Sequence, residues 1–318
     1  MKTLRSALAG LLLFAAAIPA ARAADRLSVM LDWFANPVHA PVIVARQAGF
    51  FKDAGLDVAI SAPADPNMPP KLVAAGEIDV SMTSEPLLHL QAESGLAIRR
   101  IGTMIASPLN CLMVLDKGPV KTIADLKGRK IGYSISGFED ALLSAMLGTA
   151  GLTLSDVELV NVNFALSPAL LTRRVDAVIG AFRNFELTEI ALEGAPGHAF
   201  YPEETGVPPY DEMVLIARRS DAPDPRIPRF LAAVERASLF MANHPDAAWK
   251  AFVSFDPKAL DTEINRRAWK DTLPRFSLSP AALDRGRYVR FADYLKKAGL
   301  IERKVPIDGY IALPEALR

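Results

Sequence analysis

Trp33, Asn36 and His39 lie three residues apart within Leu31-Asp32-Trp33-Phe34-Ala35-Asn36-Pro37-Val38-His39-Ala40. An indole gives a flat stacking face, and an amide and an imidazole give donors and acceptors. The set suits a small planar heterocycle. The purely structural alternative is a buried tryptophan, a turn-forming Asn-Pro and a helix-capping histidine.

Three other segments carry comparable chemistry. Ser134-Ile135-Ser136-Gly137-Phe138-Glu139-Asp140 has capping-box spacing between Ser136 and Glu139. Gly137 there would let a ligand approach the backbone, and the free N–H groups of the following helix would attract a carbonyl or an anion. Gly180-Ala181-Phe182-Arg183-Asn184-Phe185-Glu186 offers Glu186 to an exocyclic amine and Asn184 to a ring nitrogen. Met82-Thr83-Ser84-Glu85-Pro86 offers the hydroxyls of Thr83 and Ser84. An ordinary capped or solvated helix start is the alternative for each.

Enzyme signatures are largely missing. The chain has no His-Glu-x-x-His, no Cys-x-x-Cys, no phosphate loop ending in Gly-Lys-Ser/Thr and no Gly-x-Ser-x-Gly elbow. His39, His89, His198 and His244 are far apart and form no metal-ligand pair, so no metal or cofactor is expected. Cys111, the single cysteine, rules out an internal disulfide; its apolar surroundings read as core.

The elements that position these groups alternate. Strands are expected over 27–31, 56–60, 78–82, 97–105, 110–115, 130–133, 157–162, 176–181 and 212–217. Between them, helices are expected over 40–51, 68–75, 85–93, 121–126, 138–150, 167–174 and 184–193, with a helical tail over 226–300. Such alternation builds parallel sheets covered by helices, and ligands bind at the carboxyl ends of the strands. The pattern restarts near residue 110, and the Pro- and Gly-rich stretch 196–209 reads as loop. Two lobes follow: 24–107 with 211–318, and 108–210. The chain crosses between them near 106–110 and 206–213, which makes a hinge.

Residues 1–23 read as a secretory signal, with Lys2 and Arg5, an apolar core over 8–17 and a small-x-small site at Ala21-Arg22-Ala23. Cleavage near Ala23 leaves 33 basic against 36 acidic side chains, a net of −3. That excludes a nucleic-acid partner, which needs excess positive charge. No cysteine stands immediately after the cleavage site and no later apolar run is as long as a membrane span, so an exported, soluble chain is expected.

The opening motif Leu31 to His39 resembles that of the thiamine-pyrimidine-precursor proteins: periplasmic binding proteins for formylaminopyrimidine-type compounds and the related fungal pyrimidine precursor synthases. Ala48-Gly49-Phe50-Phe51-Lys52-Asp53-Ala54-Gly55-Leu56-Asp57-Val58 resembles their next segment, and Gly76-Glu77-Ile78-Asp79-Val80, Leu126-Lys127-Gly128-Arg129-Lys130-Ile131-Gly132-Tyr133, Val175-Asp176-Ala177-Val178-Ile179-Gly180 and Ala247-Ala248-Trp249-Lys250-Ala251-Phe252 match further on. The middle segments are shared with nitrate, sulfonate and taurine binders, and the Trp-x-x-Asn-x-x-His opening is the specific part. The synthase branch carries a lysine and a histidine where this chain has Thr83 and Leu87, and a cysteine-rich metal motif that Cys111 alone does not match. Schiff-base chemistry needs an amine there, so no enzymatic activity is expected.

The resemblance implies an α/β, two-lobed periplasmic-binding-protein fold (type II-like) with two interlobe crossovers. It implies a monomeric, periplasmic substrate-binding subunit of an ABC importer, working with permease and ATPase subunits at the inner membrane. Trp33 would stack on the pyrimidine with Tyr133 as a second wall. Asn36, Asn184 and Glu186 would read ring nitrogens and the amine, and His39, Ser136 and Gly137 the substituent, with Thr83 and Ser84 also facing the ligand. The alternatives are a binder of riboflavin, nitrate, sulfonate or taurine, an exported enzyme with Glu186 and His39 as an acid–base pair, and a sensory protein presenting ligand to a membrane receptor.

Overall fold

The computed structural model describes residues 24–312, so the expected signal segment lies outside the described residues. The chain first lays down β1 (Asp25–Met30), β2 (Leu56–Ser61), β3 (Val80–Thr83) and β4 (Ile98–Ile105). It then builds β5 (Asn110–Leu115), β6 (Lys130–Tyr133), β7 (Glu158–Asn161), β8 (Ala177–Phe182) and β9 (Gly197–Phe200), and returns as β10 (Met213–Arg218). Two five-stranded sheets result, ordered β2-β1-β3-β10-β4 and β7-β6-β8-β5-β9. The chain thus passes from one sheet to the other over 106–109 and back over 201–212. The molecule is an α/β protein of two lobes with two crossovers, as the sequence led us to expect.

The sheets are mixed where parallel ones were expected. β1 pairs parallel with β2 and β3, and β6 parallel with β7 and β8. β10 runs antiparallel to β3 and β4, and β5 antiparallel to β8 and β9. The reason is the crossovers. A strand arriving from the other lobe enters at the cleft, where its neighbours have their carboxyl ends, so it must run against them.

Helices cover the sheets: α1 (Ala40–Gln47), α2 (Phe50–Asp53), α3 (Pro69–Ala75) and α4 (Glu85–Glu93) in the first stretch, then α5 (Phe138–Gly148), α6 (Leu166–Leu171) and α7 (Glu186–Leu192). The tail contributes α8 (Arg226–Asn243), α9 (Pro245–Val253), α10 (Pro257–Leu260), α11 (Glu263–Thr272) and α12 (Arg285–Lys297). The single helix expected over 40–51 is two, because Gly49 adopts φ 81°, a left-handed turn that glycine makes without strain. The expected helix over 121–126 is a 3-10 turn, Ile123–Leu126. The stretch read as loop hides β9, a short edge strand against β5 whose four residues are all half-buried, so no alternation marks it in the sequence.

Each lobe has its own core. Phe51 of α2 stacks on Phe230 of α8 with ring centres 5.2 Å apart, beside Val29 and Ile43. Ile131, Leu143, Met146 and Ile179 fill the second, which also takes Phe291 and Leu295 of α12. Burying each such phenylalanine contributes about 2 kcal/mol. Among the described residues no helix is long and apolar enough to cross a membrane.

Candidate functional site

A cavity lies between the sheets, lined by residues of both lobes and open to solvent at its mouth. The loop after β1 supplies Asp32, Trp33 and Asn36, and the end of β3 supplies Thr83 and Ser84. The other lobe supplies Phe138, Glu139, Gly180, Phe182, Phe185 and Glu186. Asn110 and Glu212 enter from the crossovers. Loops at the expected strand ends therefore line this cavity.

Trp33 packs edge-on against Phe164 of the other lobe at 4.6 Å between ring centres. Its Nε1 is buried without a hydrogen-bond partner, as is Thr83 Oγ1. Buried donors are normally satisfied, and both of these unpartnered atoms belong to residues that line the cavity. Ser84 accepts from the Leu87 N–H at 3.3 Å and so also caps α4.

His39 does not reach the cavity. It is fully buried, its Nδ1 accepts from the Asn36 N–H at 3.2 Å, and its Nε2 lies 2.8 Å from Asp32 Oδ1. The backbone donor at Nδ1 assigns the proton to Nε2. Asn36 closes the same loop, accepting from the Val38 N–H at 2.9 Å and donating to the Phe34 carbonyl at 3.2 Å. The imidazole thus holds the loop that carries Trp33, and aims Asp32 with it.

The remaining expected residues divide. Glu186 lines the cavity, its Oε2 accepting from the Phe182 N–H at 2.7 Å. Asn184 turns away, donating to Thr272 Oγ1 at 2.6 Å. Tyr133 packs against the second lobe's core. Ser136 and Gly137 are exposed at the cleft rim, where the Ser136 N–H donates to Asn67 Oδ1 at 3.2 Å.

Sequence reasoning missed Glu139, Glu212 and Asn110 as cavity residues. Glu139 was read only as a helix cap; in the structure its Oε2 accepts from the Ser134 N–H at 2.7 Å and the Ile135 N–H at 3.1 Å. Asn110 opens β5, and Glu212 directly precedes β10. Their position at the crossovers was the available signal, since a hinge residue sits beside the cleft.

Burial shapes the electrostatics. It pushes the carboxyls of Glu139 and Glu186 up to about 8 and that of Glu212 to about 7, against the backbone N–H groups that favour ionisation. Among the described residues no lysine, arginine or histidine lines the cavity. Arg183 lies outside it, paired with Glu203 at 2.6 Å and stacked over Tyr201 at 4.1 Å. Among the described residues no group of three His, Cys, Asp or Glu side chains is placed to hold a metal ion. Burial also pushes the Cys111 thiol well up, which keeps it unreactive.

Residues 36–248 match the family described as NMT1/THI5 like. A "Putative thiamine biosynthesis protein" of Haemophilus influenzae is 50% identical over 288 residues, covering 91% of this chain and 92% of that protein. A "Formylaminopyrimidine-binding protein" of Halalkalibacterium halodurans is 33% identical over 241 residues, 74% of this chain and 72% of that one. In three dimensions the chain is similar to the alkanesulfonate-binding protein SsuA from Xanthomonas axonopodis pv. citri bound to MOPS, with a TM-score of 0.71 at 16% identity, covering 91% of this chain and 98% of that one. At that identity the likeness establishes the fold alone. Sequence and architecture agree, and the chain belongs to the NMT1/THI5-like family, built on the two-lobed periplasmic-binding-protein fold.

Proposed function

We propose that this protein is the periplasmic solute-binding subunit of an ABC importer, and that its lobes, 24–107 with 211–318 and 108–210, close on a thiamine pyrimidine precursor of the formylaminopyrimidine class without chemical change. One observation carries the reading. Every ionisable residue in the cavity wall is a carboxyl, Asp32, Glu139, Glu186 or Glu212, and the aromatic and hydroxyl groups between them hold unpartnered Trp33 Nε1 and Thr83 Oγ1. An aminopyrimidine of the formylamino class matches this: its exocyclic N–H groups suit carboxyl oxygens, its ring nitrogens suit the Thr83 hydroxyl, its formyl oxygen suits an indole N–H, and its flat face suits Trp33 and Phe185. A sulfonate or nitrate would meet four carboxyls and no cation. The kinship with a protein named for formylaminopyrimidine binding supports the same solute.

In this reading Trp33 stacks on the ring, Glu186 takes the exocyclic amine, and Thr83 and Ser84 meet the ring nitrogens or the substituent. Asn36 and His39 hold the Trp33 loop. Asn184, Tyr133, Ser136 and Gly137 act on the cleft's shape instead of on the ligand. No lysine faces the ligand beside Thr83 and Leu87, so no amine is placed for covalent chemistry.

Calorimetry with a formylaminopyrimidine, riboflavin and an alkanesulfonate tests this. Nanomolar-to-micromolar binding of the first alone is expected, with mass spectrometry recovering it unchanged. Binding of the sulfonate or riboflavin without the pyrimidine would overturn the assignment, and product formation would overturn the absence of chemistry.

A further inference from the structure

Glu212 stands at the end of the return crossover and is 2% exposed, yet it forms part of the cavity wall. Its Oε2 collects three donors: the Leu109 N–H at 2.6 Å, the Asn110 N–H at 2.8 Å and the Tyr210 hydroxyl at 3.1 Å. Leu109 and Asn110 belong to the outgoing crossover and its strand, and Tyr210 to the return crossover. One carboxyl oxygen thus ties both hinge segments together. Its Oε1 accepts no hydrogen bond from the described residues. The preceding residue, Asp211, anchors the same crossover in the first lobe, accepting from Thr103 Oγ1 at 2.7 Å and the Tyr288 hydroxyl at 2.9 Å. The clasped Asn110 is itself a cavity residue and accepts from the Gly180 N–H at 3.2 Å.

We propose that Glu212 couples ligand to hinge: Oε2 clasps the two crossovers while Oε1 takes a donor from the bound solute, so that occupancy of the cavity stiffens the hinge. This deepens the pyrimidine-binding reading and rests on it for the donor. The physical link is charge. A donor at Oε1 favours the carboxylate over the carboxylic acid, and an ionised acceptor holds its N–H and O–H donors about twice as strongly as a neutral one. Burial raises the carboxyl to about 7, so both forms are accessible near neutrality. The titratable groups that influence it are Tyr210 on its own crossover, Arg183 after β8, Glu139 on α5 and Cys111 on β5.

Hydrogen exchange of the full chain, read on peptides spanning residues 107–112, tests the proposal. In the wild type these amides should be protected without ligand and exchange at least threefold more slowly with saturating formylaminopyrimidine. Glu212→Gln keeps the size but has a single acceptor oxygen, which cannot serve both the crossover and the ligand. It should speed exchange at 107–112 about tenfold, abolish the ligand-driven gain and weaken binding about tenfold. Glu186→Gln should weaken binding while leaving the unliganded protection as in the wild type. Equal unliganded protection in wild type and Glu212→Gln overturns the clasp. A wild type that binds the probe without gaining protection at 107–112 overturns the coupling, and this arm needs no variant to fold. A wild type that fails to bind the probe overturns the solute assignment, and the unliganded comparison still decides the clasp.

Discussion

The Asn184 side-chain amide donates to Thr272 Oγ1 at 2.6 Å, tying the loop after the second sheet's β8 to the C-terminal helices whose Trp269 packs in the first sheet's core. Asn184 follows β8 of the second sheet, and Thr272 ends α11 of the tail that packs with the first. A second bridge joins Asn67, after β2, to the loop after β6: its Nδ2 donates to the Ser134 carbonyl and its Oδ1 accepts from the Ser136 N–H, both at 3.2 Å. Phe34 against Phe185, at 6.0 Å between ring centres, adds an apolar contact across the same cleft. These bonds exist only with the lobes together.

Asn184→Ala and Asn67→Ala should therefore act on release. Asn184→Ala removes one bond and Asn67→Ala two, each worth about 1 kcal/mol, so dissociation of the pyrimidine should speed roughly fivefold in the first and roughly 30-fold in the second while association stays within twofold. Stopped-flow fluorescence separates the two rates. Slower association with unchanged dissociation would show that these amides do not latch the closed form.

Trp33→Phe separates stacking from hydrogen bonding. Phenylalanine keeps a flat apolar face but has no N–H, and Nε1 is unpartnered without ligand. Losing a ligand bond there should weaken the pyrimidine by about 1–2 kcal/mol, roughly 5- to 30-fold. Thermal stability of the free protein should stay level or rise, since a buried unsatisfied donor is gone. Unchanged affinity by calorimetry would show that the indole N–H does not touch the ligand.

The buried carboxyls make stability fall with alkalinity. Glu139 and Glu186 hold their protons to about pH 8 and Glu212 to about 7, whereas an unfolded chain releases them near the ordinary 4.5. The folded state therefore binds more protons across that window and loses stability as pH rises through it. His89, pushed down to about 3 by burial, works in the opposite sense, but only below the ordinary imidazole value of 6.5. Between pH 6.5 and 8 the carboxyls dominate, and the urea midpoint should drop. In Glu186→Gln the drop should be smaller, because one proton is no longer lost. A midpoint flat from pH 6.5 to 8 in the wild type would contradict this.

Gly180→Ala tests how the second lobe presents its carboxyls. Gly180 has φ 96°, and a methyl there would lie 2.2 Å from Glu139 Oε1. The backbone strain alone costs about 1–2 kcal/mol, and Glu139 must move. Both the denaturation midpoint and pyrimidine affinity should fall. A variant with wild-type affinity would show that the placement of Glu139 is irrelevant to the ligand.

Local sequence settled the elements and the place of the cleft. Helix starts, strand runs and the restart near residue 110 depend on neighbours a few positions apart, and they put the Trp33 loop, Thr83 and Glu186 at strand ends that meet. Only the tertiary structure decided what each polar group there does. His39 turns inward because the Asn36 N–H and Asp32 satisfy its two nitrogens within one loop. Asn184 finds Thr272, 88 residues away, in place of a ligand. Glu139, Asn110 and Glu212 reach one cavity because the strand order β7-β6-β8-β5-β9 and the two crossovers bring their backbones together. Strand order depends on long-range pairing, and no local periodicity carries it. The short edge strand β9 stayed hidden for the same reason: its pairing with β5, not its own pattern, makes it a strand.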